Sequence, residues 1–174
     1  ISDEMAIQYF EDLQKTCFSY GLTSLHDCGI SAHTFSLLEK AQDQRLLDMK
    51  IFALLEDNPA TYYEWIKKGR FTKGNITFGG YKVYSDGALG SRGACLIHDY
   101  SDKKNWKGFL LSDQKHFENL AKKLKNSDLQ MCTHAIGDSA NRTILNIYGD
   151  VLGIKNDRRW RIEHAQIVDK NDFD

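Results

Sequence analysis

Three side chains stand out by type and place: Lys82, His134 and His164. Lys82 sits inside "GGYKVYSDG", His134 near the end of "LQMCTHA", and His164 near the end of "RWRIEHA". A histidine at the end of a buried strand can be a satisfied core side chain, a general base or a metal ligand. One histidine does not decide. Two in equivalent places on successive strands, about 30 residues apart, bring metal ligation level with the structural readings. A lysine among apolar strand residues either snorkels to water or has a task. Schiff-base chemistry, a catalytic pair and a metal-bridging carbamate are the candidates.

Every other predicted strand also ends in a group that can bind a proton or a metal. "LTSLHD" ends at His26 and Asp27, "MKIFALLE" at Glu56, and "GGYKVYSDG" carries Asp86. Asp86 with the following "GALGSRGA" reads either as a plain turn or as a loop whose backbone N–H groups and Arg92 face an anionic substrate group. Asp138 is most simply a helix N-cap. Glu163 is most simply a buried hydrogen-bonding partner beside the site. Asp86, Arg92, Asp138 and Glu163 are therefore candidates for substrate or loop contacts. His33, His98 and His116 fall on helices or loops and read as surface residues.

The elements that must position these groups alternate. Residues 3–19 carry Met5, Ala6, Tyr9, Phe10, Leu13 and Cys17 at helical spacing, with Asp3 and Glu4 in the first turn and Gly21 as the stop. A strand over 22–27, a helix over 32–44, the strand "MKIFALLE" and a helix opened by Pro59 follow. After "GGYKVYSDG" comes a long irregular stretch. Ser112 is the expected cap of a helix with the face Phe117, Leu120, Ala121 and Leu124. Then come the strand "LQMCTHA", a helix presenting Ile144, Leu145, Tyr148 and Val151, and the strand "RWRIEHA". Repeated β-α-β units imply parallel strands with right-handed crossovers. A doubly wound open sheet and part of a (β/α)8 barrel both fit. Five units at about 31 residues each match the barrel spacing. No G-x-G-x-x-G or P-loop follows a strand, which weakens a nucleotide-binding sheet. In a barrel the strand ends would converge on one face.

Bulk properties exclude several partner classes. The 174 residues carry 23 Lys+Arg against 24 Asp+Glu, so there is no electrostatic case for nucleic acid or an anionic membrane. No apolar run has the length of a spanning helix. Cys17, Cys28, Cys95 and Cys132 form no C-x-x-C pair and read as reduced thiols. That fits a reducing compartment and favours the cytoplasm, with a signal peptide upstream left open. The chain lacks an initiator Met, so a segment of a longer protein is expected.

"GLTSLHDCG", "KVYSDGALGSRGA", "THAIGDSANRTIL" and "RWRIEHAQIV", in this order, resemble successive blocks of the YtcJ-like branch of the amidohydrolase superfamily, amidohydrolase family 3. The resemblance implies a metal-dependent (β/α)8 barrel with a small β-sandwich domain. The fourth-strand lysine of that family, often carboxylated between two metals, falls on Lys82. The fifth- and sixth-strand histidines fall on His134 and His164. The family's first-strand H-x-H is absent from this chain. The aspartate of its eighth strand, the expected general base, lies outside it. Residues 1–174 are therefore expected to be one partial barrel domain, holding strands two to six and lacking the first and last strands and the sandwich.

The resemblance implies a divalent metal, expected to be Zn²⁺, with one or two ions in the intact protein and no firm site in this segment alone. It also implies a small-molecule substrate and metal-assisted hydrolysis of amide-like, non-peptide C–N bonds. The segment by itself is expected to be inactive and to self-associate through open barrel edges. Ester or phosphoester hydrolysis by the same ligands, or a barrel descendant that binds without catalysis, are the alternatives.

Overall fold

The computed structural model describes residues 1–173, which divide into two compact units, Ile1–Tyr81 and Lys82–Asp174. The first contains α1 (Asp3–Ser19), β1 (Ser24–Ile30), α2 (Ala32–Asp43), β2 (Lys50–Glu56), α3 (Pro59–Lys68), β3 (Phe71–Lys73) and the start of β4 (Ile76–Tyr84). The second contains the end of β4, α4 (Gln114–Leu124), β5 (Gln130–Ala135), α5 (Asp138–Leu152), β6 (Arg161–His164) and a 3-10 turn, Lys170–Asp172. The parallel strands run in the order β1-β2-β4-β5-β6, and β3 pairs antiparallel with β4. This is the α/β pattern of a partial (β/α)8 barrel, with five parallel strands and intervening helices as the sequence predicted.

Local sequence explains the elements. Ser2 and Ser31 cap α1 and α2 by accepting the Met5 and Thr34 N–H groups. Pro59 opens α3 where its missing N–H costs nothing. In the first unit Phe35, Trp65, Phe71, Phe78 and Tyr81 form one aromatic cluster, mostly edge to face. In the second, Phe117, Leu120, Ala121 and Leu124 of α4 are buried as predicted. Each such side chain contributes on the order of 1.5–3 kcal/mol.

Four expectations are corrected. β1 runs past Asp27 to Ile30 over a register shift between Cys28 and Ile30, so His26 and Asp27 are mid-strand. The caps of α4 and α5 are Asp113 and Gly137, not Ser112 and Asp138. α1 buries Ile7, Gln14 and Cys17, while Met5, Tyr9 and Leu13 are exposed. Its second side is held by polarity: the Gln14 amide donates to the Leu46 carbonyl and accepts from the Asp48 and Met49 N–H groups. β3 was not foreseen. Among the described residues no helix is long and apolar enough to cross a membrane, and no cysteine is in a disulfide.

β4 matters most for the site. Ile76 and Phe78 are fully buried, and so are Tyr81 and Val83. Strict alternation would put Phe78 and Tyr81 on opposite faces, yet their rings lie 6.1 Å apart. The change of phase falls at Gly79 and Gly80. Gly80 has φ 149, and Gly79 lies against the Phe52 ring with no space for a Cβ. Beyond this irregularity Lys82 and Tyr84 share the face opposite Tyr81 and Val83.

Candidate functional site

The site is built in the second unit from the ends of three strands. Lys82 on β4 is 4% exposed. Its Nζ lies 3.9 Å from the centre of the Tyr84 ring, two residues on. The Tyr84 ring is 5.4 Å from the His134 imidazole, and His134 is 4.9 Å from the His164 imidazole, edge to face. β5 and β6 are in parallel register with His134 opposite Glu163 and Ala135 opposite His164. Thus Lys82, His134 and His164 are brought into one neighbourhood.

The strand ends are locked by the dipeptide after β4. Ser85 donates from both its N–H and its hydroxyl to the His134 carbonyl, at 2.9 and 2.6 Å. Asp86 is 1% exposed. Its carboxylate accepts N–H groups from Cys95 (2.8 Å), Ile136 (2.9 Å) and Gly137 (2.9 Å). Gly137 packs so tightly on the Cys95 backbone that no side chain fits there. At the end of β6, His164 and Ala165 both take positive φ, 76 and 43. Such backbone costs about 1–3 kcal/mol per non-glycine residue and collects at functional sites.

His134 Nε2 is buried and, among the described residues, has no hydrogen-bond partner. Asp86 Oδ1 lies 3.5 Å from it. Burial holds the His134 pKa below the usual imidazole range; Asp86 opposes this, and the positive charges of Lys82 and His164 reinforce it. A neutral imidazole with an unsatisfied buried nitrogen is the form that ligates metal. No group of three or more His, Cys, Asp or Glu among the described residues is gathered for a metal. The cluster therefore fits part of a metal shell, with the lysine in it, and not a complete one.

The other candidates have different work. Arg92 forms a two-pronged ion pair with Asp102, Nε–Oδ1 at 3.1 Å and Nη2–Oδ2 at 2.7 Å. The Asp86 loop does not offer the N–H groups of Cys95, Ile136 and Gly137 to a ligand, because the Asp86 carboxylate takes them. Asp138 Oδ1 accepts from Ile97 N–H as well as Ser139 N–H, so it ties the long loop to α5. Glu163 is half-buried and paired with Arg161 at 2.9 Å. Sequence reasoning missed Tyr84 and Ser85. The available signal was adjacency: both lie inside "KVYSDG", and a residue two beyond Lys82 must share its face.

Fold and cluster define a segment of a (β/α)8-type barrel whose polar side chains gather at strand ends. A family model described as the amidohydrolase family matches residues 3–174, and the chain belongs to that family. Protein LONG AFTER FAR-RED 3 of Arabidopsis thaliana is 36% identical over 124 residues, which is 70% of this chain and 19% of that protein. Putative amidohydrolase YtcJ of Bacillus subtilis (strain 168) is 29% identical over 160 residues, 89% of this chain and 30% of that protein. The YtcJ-like resemblance is thereby borne out. Crystal structures of uncharacterized metal-dependent hydrolases from Pyrococcus horikoshii OT3 and Pyrococcus furiosus superpose with a TM-score of 0.86 at 25% identity. They cover 99% and 98% of this chain, which spans 35% and 36% of theirs. The chain spans 19% and 30% of the curated relatives, a minor part of each.

Proposed function

We propose that the protein carrying this chain is a metal-dependent hydrolase of amide-like, non-peptide C–N bonds. In this reading His134 and His164, with Lys82 as its carbamate, help hold a divalent cation. Zn²⁺ is among the ions that imidazole donors suit, and it is the one taken here. The observation that carries the reading is the buried His134 Nε2, without a hydrogen-bond partner and beside the His164 ring. A nitrogen left so is costly unless a cation or a donor completes it. Membership of the family and the likeness to structures described as metal-dependent hydrolases support the same reading.

A bound divalent cation supplies Lewis-acid polarisation of a carbonyl and lowers the pKa of water to about 7. The residues here orient and exclude. Ser85 fixes the His134 backbone. Burial keeps His134 neutral and available. The half-exposed Tyr84 ring stands beside both Lys82 and His134, where it can meet a substrate's apolar portion. No residue of this chain is assigned the proton-accepting step.

The test uses the intact protein, stripped with a chelator and reloaded with Zn²⁺. N-acyl, N-formyl, ester and phosphoester substrates are assayed in parallel. Amide-type turnover that disappears on stripping and returns on loading is expected. Turnover confined to esters or phosphoesters would move the reaction class. Turnover unaffected by stripping would overturn the metal.

A further inference from the structure

The clamp formed by Ser85 and Asp86 is more specific than a turn requires. Asp86 is the first charged residue after β4, fully buried, and placed where three chain segments meet: its own, the long loop at Cys95, and the link from β5 to α5. Its oxygens are already committed to backbone donors. What remains to it is its negative charge and one face, and that face is 3.5 Å from His134 Nε2.

We propose that Asp86 is a positioning residue for His134: its carboxylate, pinned by three backbone N–H groups, fixes the imidazole and places a buried negative charge beside the nitrogen that awaits a cation. This rests on the metal reading above. The geometry explains both halves. Ser85 and Asp86 together hold residues 134, 136 and 137 by main-chain groups, so the ring inherits a fixed base. Two electron-rich atoms 3.5 Å apart with no donor between them favour a cation nearby. Arrangements of this kind around a ligating histidine raise metal affinity about 10- to 100-fold.

The intact protein is compared as wild type, Asp86→Asn, Asp86→Glu, His134→Ala and Tyr100→Phe. Tyr100 serves as the loop control, because its hydroxyl donates to the Ala94 carbonyl without touching His134. Zn²⁺ alone is the probe, with affinity read by competition against a chelator and folding read by thermal melting. Asn keeps the volume, removes the charge and turns an N–H₂ either toward Ile136 N–H and His134 Nε2 or toward the N–H groups of Cys95 and Gly137. Asp86→Asn should lose about 10- to 100-fold in Zn²⁺ affinity, and Asp86→Glu should recover part of it by keeping the charge. Tyr100→Phe should melt lower with unchanged affinity. Wild-type affinity in a folded Asp86→Asn overturns the proposal. So does an equal affinity loss in Tyr100→Phe, which would make Asp86 a loop anchor only. Absence of any His134-dependent Zn²⁺ binding in wild type would instead overturn the metal reading itself.

Discussion

The two units use the same kind of residue for different ends. In the first, the polar groups of β1 and β2 go separate ways. His26 lies against Phe52 with ring centroids 4.8 Å apart. Asp27 stands opposite Ala53 on the other face of β1, and partial burial pushes its carboxyl above the usual range. Glu56 is exposed at the end of β2. In the second unit Lys82, Asp86, His134 and His164 gather at one place, and hydrogen bonds to backbone groups fix Asp86 and the His134 main chain. Both units also leave buried polar atoms unpartnered among the described residues: the Tyr81 hydroxyl in the first, and Gln130 Oε1, Asp172 Oδ2 and His134 Nε2 in the second, of which only His134 lies at the site. Tyr81 belongs to the aromatic packing against α3. His134 belongs to the cluster at the strand ends. A polar side chain at a strand end is thus not yet a site; convergence and a locked backbone make it one.

The sharpest way to break this contrast is substitution on both sides of it. In the intact protein, His134→Ala and His164→Ala should abolish metal-dependent turnover, since each removes one of few ligands to an open site. His26→Ala and Glu56→Gln should leave turnover near wild type. Steady-state rates with saturating Zn²⁺ check all four. If His26→Ala were as damaging as His134→Ala, the first unit would hold part of the chemistry.

A smaller effect sharpens the same contrast from the packing side. Phe35 has no exposed surface and meets the rings of Trp65, Phe71 and Phe78 at 5.1, 5.7 and 6.0 Å. Phe35→Ala should cost about 3–5 kcal/mol through lost burial and the cavity left behind. A urea titration would read this as a lower midpoint at unchanged slope. Zn²⁺ affinity of the remaining folded protein should not change. A parallel fall in affinity would show that the aromatic cluster supports the site.

What could be read in advance follows from how local each feature is. α1 and α3 carry starts and stops that the sequence showed, Asp3, Glu4 and Gly21 for the one and Pro59 for the other, and α2 and α5 were placed close to their observed spans. β2, β5 and β6 were legible as apolar runs ending in polar residues. β1 was read only to Asp27, whereas the structure passes Gly29 over a register shift and continues to Ile30. β4 was read only from Gly79, so Ile76 to Phe78 were missed, and with them the short partner β3. Lys82, His134 and His164 were found because strand-end placement is local. The partner of Arg92 lies ten residues away in an irregular loop, and the three donors to Asp86 come from two distant segments. Neither could be read without the fold.

The smallest expected effect concerns the unpartnered hydroxyl of the first unit. Tyr81 has no exposed surface, and burial is the main cause that pushes its phenol from the ordinary 10.0 up to about 12. In the unfolded chain the phenol ionises near 10. Between pH 10 and about 12 the unfolded chain therefore loses this proton while the folded chain keeps it. The folded state then binds more protons, so stability falls as pH rises through that window and is unaffected by this group below it. Burial pushes the Tyr100 and Tyr148 phenols up as well, so the wild-type decline contains all three groups. Tyr81→Phe isolates one of them. It removes an oxygen without a hydrogen-bond partner among the described residues, so near neutral pH it should be neutral or mildly stabilising. Above pH 10 the advantage of the Phe variant over wild type should widen. Urea unfolding of both proteins across that range measures it, and curves that stay parallel would show that the Tyr81 phenol is not held protonated by the fold. A Phe variant markedly less stable at neutral pH would mean that the hydroxyl has a partner, and the contrast with His134 Nε2 would then fail.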